Sequence, residues 1–150
     1  MILMEEVLKI KKLYDSAKIP TKGTTEAAGY DLYSASTYDI EIPREQTVKI
    51  GTGIAVEIPK GCFGAIFARS GLATKKGLRL ANSVGVIDSD YRGELVVALH
   101  NDSNIAQYVG VQERIAQLVI IPYKEVEFEE VNELEDTERG EGGFGSTGVK

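Results

Sequence analysis

The chain has no tryptophan, one histidine and one cysteine among its 150 residues. A single cysteine, Cys62, excludes an internal disulfide, and its neighbours Gly61 and Phe63 place it in a strand rather than beside a metal or a catalytic base. His100 follows the apolar run LVVAL and reads as structural, which leaves Ser/His/Asp chemistry and a His/Cys zinc site without support. No apolar run reaches the roughly 18 residues that a membrane-crossing helix needs. The opening stretch MILMEEVLKIKK is too short and too charged for a secretory signal, so an intracellular protein is expected, in the cytoplasm or, for a eukaryotic or viral source, in the nucleus. A basic run, a fixed-period repeat and a heptad pattern are also missing. That removes an extended nucleic-acid surface, a solenoid and a coiled coil.

What is present fits one domain able to bury a core, since 43% of the residues are hydrophobic and 27% charged. The net charge of −6 is unevenly spread. Residues 125–141 hold nine acids and one base, so the remaining 14 acids face 16 bases and the body is not acidic. Phosphate binding at a local cleft therefore stays open.

Period-two alternation recurs in strand-length segments: 7–13, 47–58, 62–68, 94–100, 105–109, 115–121 and 126–131. Turn formers separate them, as at Pro43-Arg44, Pro59-Lys60-Gly61, Arg92-Gly93 and Asn101-Asp102-Ser103-Asn104. This rhythm predicts an all-β sandwich or barrel. Only Ser70 to Lys76 lacks alternation, which predicts one short helix ended by Gly77. Composition changes near Asp136, giving a body over 1–136 and a glycine-rich segment over 137–150 with too little apolar surface to offset its ordering entropy. By composition that segment is a frayed tail.

Three constellations bear polar groups in places where chemistry is possible. Arg69-Ser70-Gly71 closes a strand and opens the helix, so a guanidinium, a hydroxyl and free backbone N–H groups converge. An exposed arginine in a turn explains the same residues. Gly85 to Gly93 puts Asp88, Asp90 and Tyr91 in a predicted hairpin between apolar strands, either as solvated turn residues or as a general base beside an aromatic wall. Arg114-Ile115-Ala116-Gln117 starts a strand with two polar side chains three residues apart, and alone reads as surface.

Taken in order, Ala28-Gly29-Tyr30-Asp31-Leu32, Ala68 to Ala73, Gly85 to Glu94, Arg114 to Leu118 and Arg139 to Gly148 resemble the five motifs of the trimeric dUTPase family. The resemblance spans nearly the whole chain. It implies a distorted jelly-roll, β-clip-like barrel with one short helix, a homotrimer with sites shared between subunits, and Mg²⁺-dependent hydrolysis of dUTP to dUMP and pyrophosphate. By the same resemblance Asp88 binds the deoxyribose 3′-hydroxyl and orients the attacking water. Tyr91 packs under the sugar, where a ribose 2′-hydroxyl would collide with it. Gly85, Val86 and Ile87 recognise uracil through their backbone, and Asn82 adds an amide contact. Phosphate ligands are Arg69, Ser70, Gly71 and Gln117, joined from the tail by Arg139, Gly145, Ser146 and Thr147. Phe144 stacks on uracil when the tail closes over a neighbouring site. Asp31 acts on Mg²⁺ through water, in keeping with that ion's preference for phosphate oxygens and retained waters. Ala68 stands where many members have proline, which loosens the approach to Arg69. Two other readings remain at this point: a dCTP deaminase or bifunctional relative on the same fold, and a nucleotide-sensing β-sandwich without catalysis.

Overall fold

Short alternating runs need partners to satisfy their backbone groups, and here they find them as antiparallel strands. The computed structural model describes residues 6–148. Its strands are β1 (Lys9–Lys12), β2 (Tyr30–Tyr33), β3 (Ile40–Ile42), β4 (Thr47–Gly51), β5 (Ile54–Glu57), β6 (Cys62–Phe67), β7 (Leu78–Leu80), β8 (Gly85–Ile87), β9 (Val96–Asn101), β10 (Gln107–Val109) and β11 (Arg114–Pro122). A four-stranded sheet runs β2-β11-β6-β8 and a three-stranded sheet β4-β9-β7, with the pairs β1-β5 and β10-β3 alongside. The fold is the all-β jelly roll expected. Among the described residues no helix is long and apolar enough to cross a membrane.

One core joins the layers. Leu32, Ile66, Ala116 and Leu118 come from the four-stranded sheet, Ile50, Leu78, Leu80, Val97 and Leu99 from the three-stranded one, and Ile54 and Val56 from β5. Burying each large aliphatic side chain is worth about 1.5–3 kcal/mol. Cys62 packs at the edge of this core, as expected, and His100 makes a cross-strand contact to Thr47 through Nδ1 at 2.9 Å. The predicted helix is a π-helical turn, Leu72–Lys76, capped by Gly77 in the left-handed region at φ 67°.

Three expectations need correction. The run 47–58 is two strands, because Gly53 at φ 69° turns the chain between β4 and β5. Gly85 to Gly93 is not a hairpin between its flanking strands: β8 pairs with β6, while β9 pairs with β4 and β7, so the loop crosses from one sheet to the other. Alternation alone does not say which neighbour a strand takes. The strand expected over 126–131 is absent, and residues 124–138 are exposed and without regular structure. Val126, Phe128, Val131 and Leu134 alternate with acids but meet no sheet edge, and an unpaired segment has no ladder to hold it extended.

Candidate active site

β11 is the central strand that builds the polar edge. Its Gln117 lies opposite Asp31 of β2 on one side and Phe67 of β6 on the other. The Gln117 amide donates to the carbonyl of Ala68 at 3.0 Å, which fixes the chain as it leaves β6. Gly29 makes the space: a Cβ there would lie 2.4 Å from Gln117 Oε1. Arg69 Nε then lies 3.4 Å from Asp31 Oδ1, and Arg114 Nη1 lies 3.4 Å from Asp31 Oδ2.

Residues three apart on a regular strand point to opposite faces, yet Arg114 and Gln117 both face Asp31. A register shift between Arg114 and Ala116 resets the alternation, and it shows as consecutive buried residues, Ile115 and Ala116. Arg114 was not among the expected ligands. The polar pair in Arg114-Ile115-Ala116-Gln117 was the available signal, and the bulge is what the sequence did not display.

Two guanidiniums around one carboxylate leave this edge with a surplus positive charge beside Ser70 and Gly71, both exposed. Gly71 has an ordinary helical φ of −62°, and a Cβ on it would meet nothing within 4 Å. Neither its backbone nor packing within the chain calls for glycine. Bare backbone N–H groups with open approach suit an anion.

The second group is on β8 and the loop after it. Gly85 lies against Ile66, and a Cβ there would be 3.1 Å from Ile66 Cβ and 3.7 Å from Asn82 Nδ2. Ser83, at φ 64°, turns the chain so that Asn82 stands over Gly85. Val86 projects outward and Ile87 packs against the core. Asp88 and Tyr91 close a turn through the Tyr91 N–H donating to the Asp88 carbonyl at 3.1 Å, and both are exposed.

The two groups are not together. Ile87 pairs with Gly64, so Asp88 falls level with Phe63, whereas Asp31 and Gln117 are level with Phe67. At about 3.3 Å per residue and 4.8 Å per strand, Asp88 is about 13 Å along the sheet and about 14 Å across it from Asp31.

The tail forms a third group. Arg139 Nε donates to the carbonyl of Gly142 at 2.9 Å, and the N–H groups of Ser146 and Gly148 donate to Gly143 and Gly145, each at 2.9 Å. These turns are local, with Gly140, Gly145 and Gly148 at positive φ. Phe144 is fully exposed at 114% relative accessibility, and Ser146 and Thr147 are exposed with it. Residues 149–150, the last two of the expected arm, and residues 1–5 of the expected body lie outside the described residues.

No cluster of three or more acidic, His or Cys side chains among the described residues makes a metal cage. Asp31, only 14% exposed, has each oxygen facing a guanidinium. That donor set does not suit direct ligation of a bare ion. It suits a hydrated Mg²⁺ carried largely by phosphate oxygens.

The dUTPase family model matches residues 15–148. The deoxyuridine 5′-triphosphate nucleotidohydrolase of Nautilia profundicola is 54% identical over 141 residues, covering 94% of this chain and 98% of that protein. The mitochondrial deoxyuridine 5′-triphosphate nucleotidohydrolase of Homo sapiens is 46% identical over 141 residues, covering 94% of this chain and 54% of that one. Among solved structures, the Staphylococcus bacteriophage 80alpha dUTPase with dUPNHPP superposes with a TM-score of 0.89 at 32% identity, covering 97% of this chain and all of the other. A dUTPase from phage phi11 of S. aureus, described with a structural Mg(II) ion, gives 0.80 at 25% identity, covering 87% of this chain and all of that one.

Proposed function

The chain belongs to the dUTPase family, and from that premise we infer that it is a dUTP nucleotidohydrolase, converting dUTP to dUMP and pyrophosphate. Such an activity keeps uracil out of DNA and supplies dUMP for thymidylate synthesis; it belongs inside the cell, where the nucleotide is. The observation that carries the reading is the convergence of Arg69 and Arg114 on Asp31, with Gln117 opposite it in the sheet and Gly71 open beside them, a built anion edge in a chain with no basic run.

Roles follow from position. Arg69, Ser70, Gly71 and Gln117 hold phosphate oxygens, with charge-assisted bonds from the guanidinium and neutral ones from the rest. Arg114, tied to the other oxygen of the Asp31 carboxylate, adds to the positive field and restrains it. Mg²⁺, held by the phosphates and reached through water by Asp31, would neutralise charge on the phosphate oxygens.

Asp88 binds the 3′-hydroxyl and orients a water, accepting its proton as the oxygen bonds to the α-phosphorus. The bond from the α-phosphorus to the bridging oxygen breaks, and pyrophosphate leaves. Donors fixed at the anion edge stabilise the charge that moves onto it. Gly85, Val86 and Ile87 offer backbone groups to uracil, Asn82 an amide, and Tyr91 a ring beneath the sugar. Uracil then lies near the open side of β8, where Val86 is exposed.

Asp88 must come within one water of the α-phosphorus while Arg69 and Gln117 hold the same phosphate chain. A separation on the order of 20 Å within one chain does not allow that. We therefore assign Asp88 and Tyr91 to the substrate held by the anion edge of another copy, in a homotrimer with three shared sites. The arm, with Phe144 bare and Arg139, Gly145, Ser146 and Thr147 in local turns, closes over a site once substrate supplies partners.

A panel of dUTP, UTP, dTTP and dCTP with pyrophosphate detection tests the activity. Pyrophosphate from dUTP alone is expected; ammonia release from dCTP would overturn it.

A further inference from the structure

Tyr91 is seated by a chain of contacts that reaches well outside its own loop. Its Oη donates to the carbonyl of Glu94 at 2.8 Å, so the ring folds back over Gly93. A Cβ on Gly93 would lie 2.4 Å from Tyr91 Oη, 2.6 Å from Cζ and 2.9 Å from Cε1. Gly93 is not among the positive-φ glycines, so its backbone would accept any residue. The Tyr91 ring is what a side chain there would meet first.

The carbonyl that receives Tyr91 is itself fixed. Leu95, the next residue, is fully buried; its N–H donates to the Ile54 carbonyl at 2.9 Å, and its own carbonyl accepts from Thr52 Oγ1 at 2.6 Å. The Glu94 carboxylate accepts from the Tyr14 hydroxyl, through Oε1 and at 3.0 Å through Oε2. Gly51 clears the space, since a Cβ there would lie 2.5 Å from Glu94 Oε2. Tyr14 in turn stands on Gly53, where a Cβ would be 2.8 Å from Tyr14 Cδ2. Two glycines thus each admit one member of a row, Gly51 admitting Glu94 and Gly93 admitting Tyr91, while Gly53, already called for by the turn at φ 69°, has Ala17 as well as Tyr14 against it.

We propose that Tyr14, Glu94 and Gly93 set the sugar specificity of the site by holding the Tyr91 ring as an unyielding wall against a ribose 2′-hydroxyl. This rests on the reading of Tyr91 as the surface beneath the deoxyribose. The reason lies in how weak shape selection is. A pocket whose wall can retreat rejects an added hydroxyl by only about 10²-fold or less. An exposed ring on a loop between two sheets would retreat; one tied at its tip to the carbonyl just ahead of buried Leu95, with no side chain on Gly93 to lever it away, does not. Tyr14 and Glu94 are positioning residues, and Gly93 determines specificity by what it lacks.

The test measures kcat/KM for dUTP and for UTP on the full chain. Tyr14→Phe and Glu94→Ala are expected to lower the dUTP value by no more than about threefold while the dUTP-to-UTP ratio falls about tenfold. Glu94→Gln keeps an oxygen for the Tyr14 hydroxyl and is expected to hold the ratio near that of the unmodified protein. Gly93→Ala displaces the ring and lowers the ratio furthest. A ratio unchanged in Tyr14→Phe and Glu94→Ala overturns the proposal, and so does an equal loss for both nucleotides. Should Gly93→Ala not fold, the Tyr14 and Glu94 variants decide, since both act at an exposed contact. An unmodified protein that releases no pyrophosphate from dUTP would overturn the activity itself, a distinct result.

Discussion

Asp31 and Arg69 meet at 3.4 Å across β11, the strand that carries Gln117 between them. Arg114 reaches the other oxygen of the same carboxylate at the same distance. One anion thus holds two cations apart, at fixed positions, without cancelling them. An arrangement of this kind binds a polyphosphate by presenting charge already in place, so that little ordering accompanies binding.

Asp31→Asn removes that anion and leaves both guanidiniums facing an amide. The Mg²⁺ concentration needed for half-maximal turnover is expected to rise about tenfold, because the water-mediated partner of the ion has lost its charge. Stability is expected to change by less than about 1 kcal/mol, since both arginines are solvent-accessible. Turnover titrated with Mg²⁺ checks the first and thermal unfolding the second; an unmoved Mg²⁺ requirement removes Asp31 from the metal's surroundings.

Asp88→Asn is expected to keep nucleotide affinity within about tenfold and to lose most turnover, whereas Arg69→Ala weakens binding. The separation of these residues within one chain makes a sharper prediction. Co-expressed in equal amounts and assayed at a dUTP concentration too low to saturate Arg69→Ala, the two variants should together regain up to about a quarter of full activity, the fraction of shared sites that draw an intact half from each copy. If each site belonged to one chain, no mixture would recover anything.

Strands β1, β4, β5, β6, β9, β10 and β11 were legible in the sequence because period-two alternation and turn residues are local signals, whereas β2, β3, β7 and β8 are only three or four residues long and lie outside the alternating runs. β11 starts at Arg114 as the pattern implied, and Gly77 ends the π-helical turn as its position implied. What was not legible was pairing. The loop from Gly85 to Gly93 looks like a hairpin because apolar strands flank it, but β8 and β9 belong to different sheets. Nor could alternation reveal the bulge that turns Arg114 toward Asp31, since a bulge is a relation between two strands. Residues 126–131 show the limit from the other side: the pattern of a strand is present, and among the described residues no ladder pairs with it.

The tail carries the next prediction. Among the described residues Phe144 has no neighbour to shield it, and the chain contains no tryptophan, so Phe144→Trp reports from one position. Its fluorescence should shift when a non-hydrolysable dUTP analogue and Mg²⁺ are added together. A chain ending at Glu138 should fold with an unchanged unfolding midpoint and turn over dUTP at least about tenfold more slowly. Full activity in the shortened chain would leave the arm without a part in the reaction.

The contact between Tyr14 and Glu94 makes the sugar selectivity depend on pH in a definite direction. The hydrogen bond to Glu94, with the carboxylate's charge close by, raises the Tyr14 phenol above its ordinary value of 10.0. A group whose folded value is raised contributes fully below its unfolded value and loses that contribution as pH rises through the folded one. The Tyr14–Glu94 bond is therefore intact throughout the neutral range and is lost only above pH 10, when a phenolate faces a carboxylate. Alkaline difference titration of the unmodified protein against Tyr14→Phe should reveal one phenol with a midpoint above 10.0. Glu94→Gln should bring that midpoint down, because the amide keeps an acceptor but carries no charge. A Tyr14 that titrates at its ordinary value would mean that the bond does not hold in solution, and the Glu94 carboxylate would then lose the partner that ties it to the Tyr14 segment.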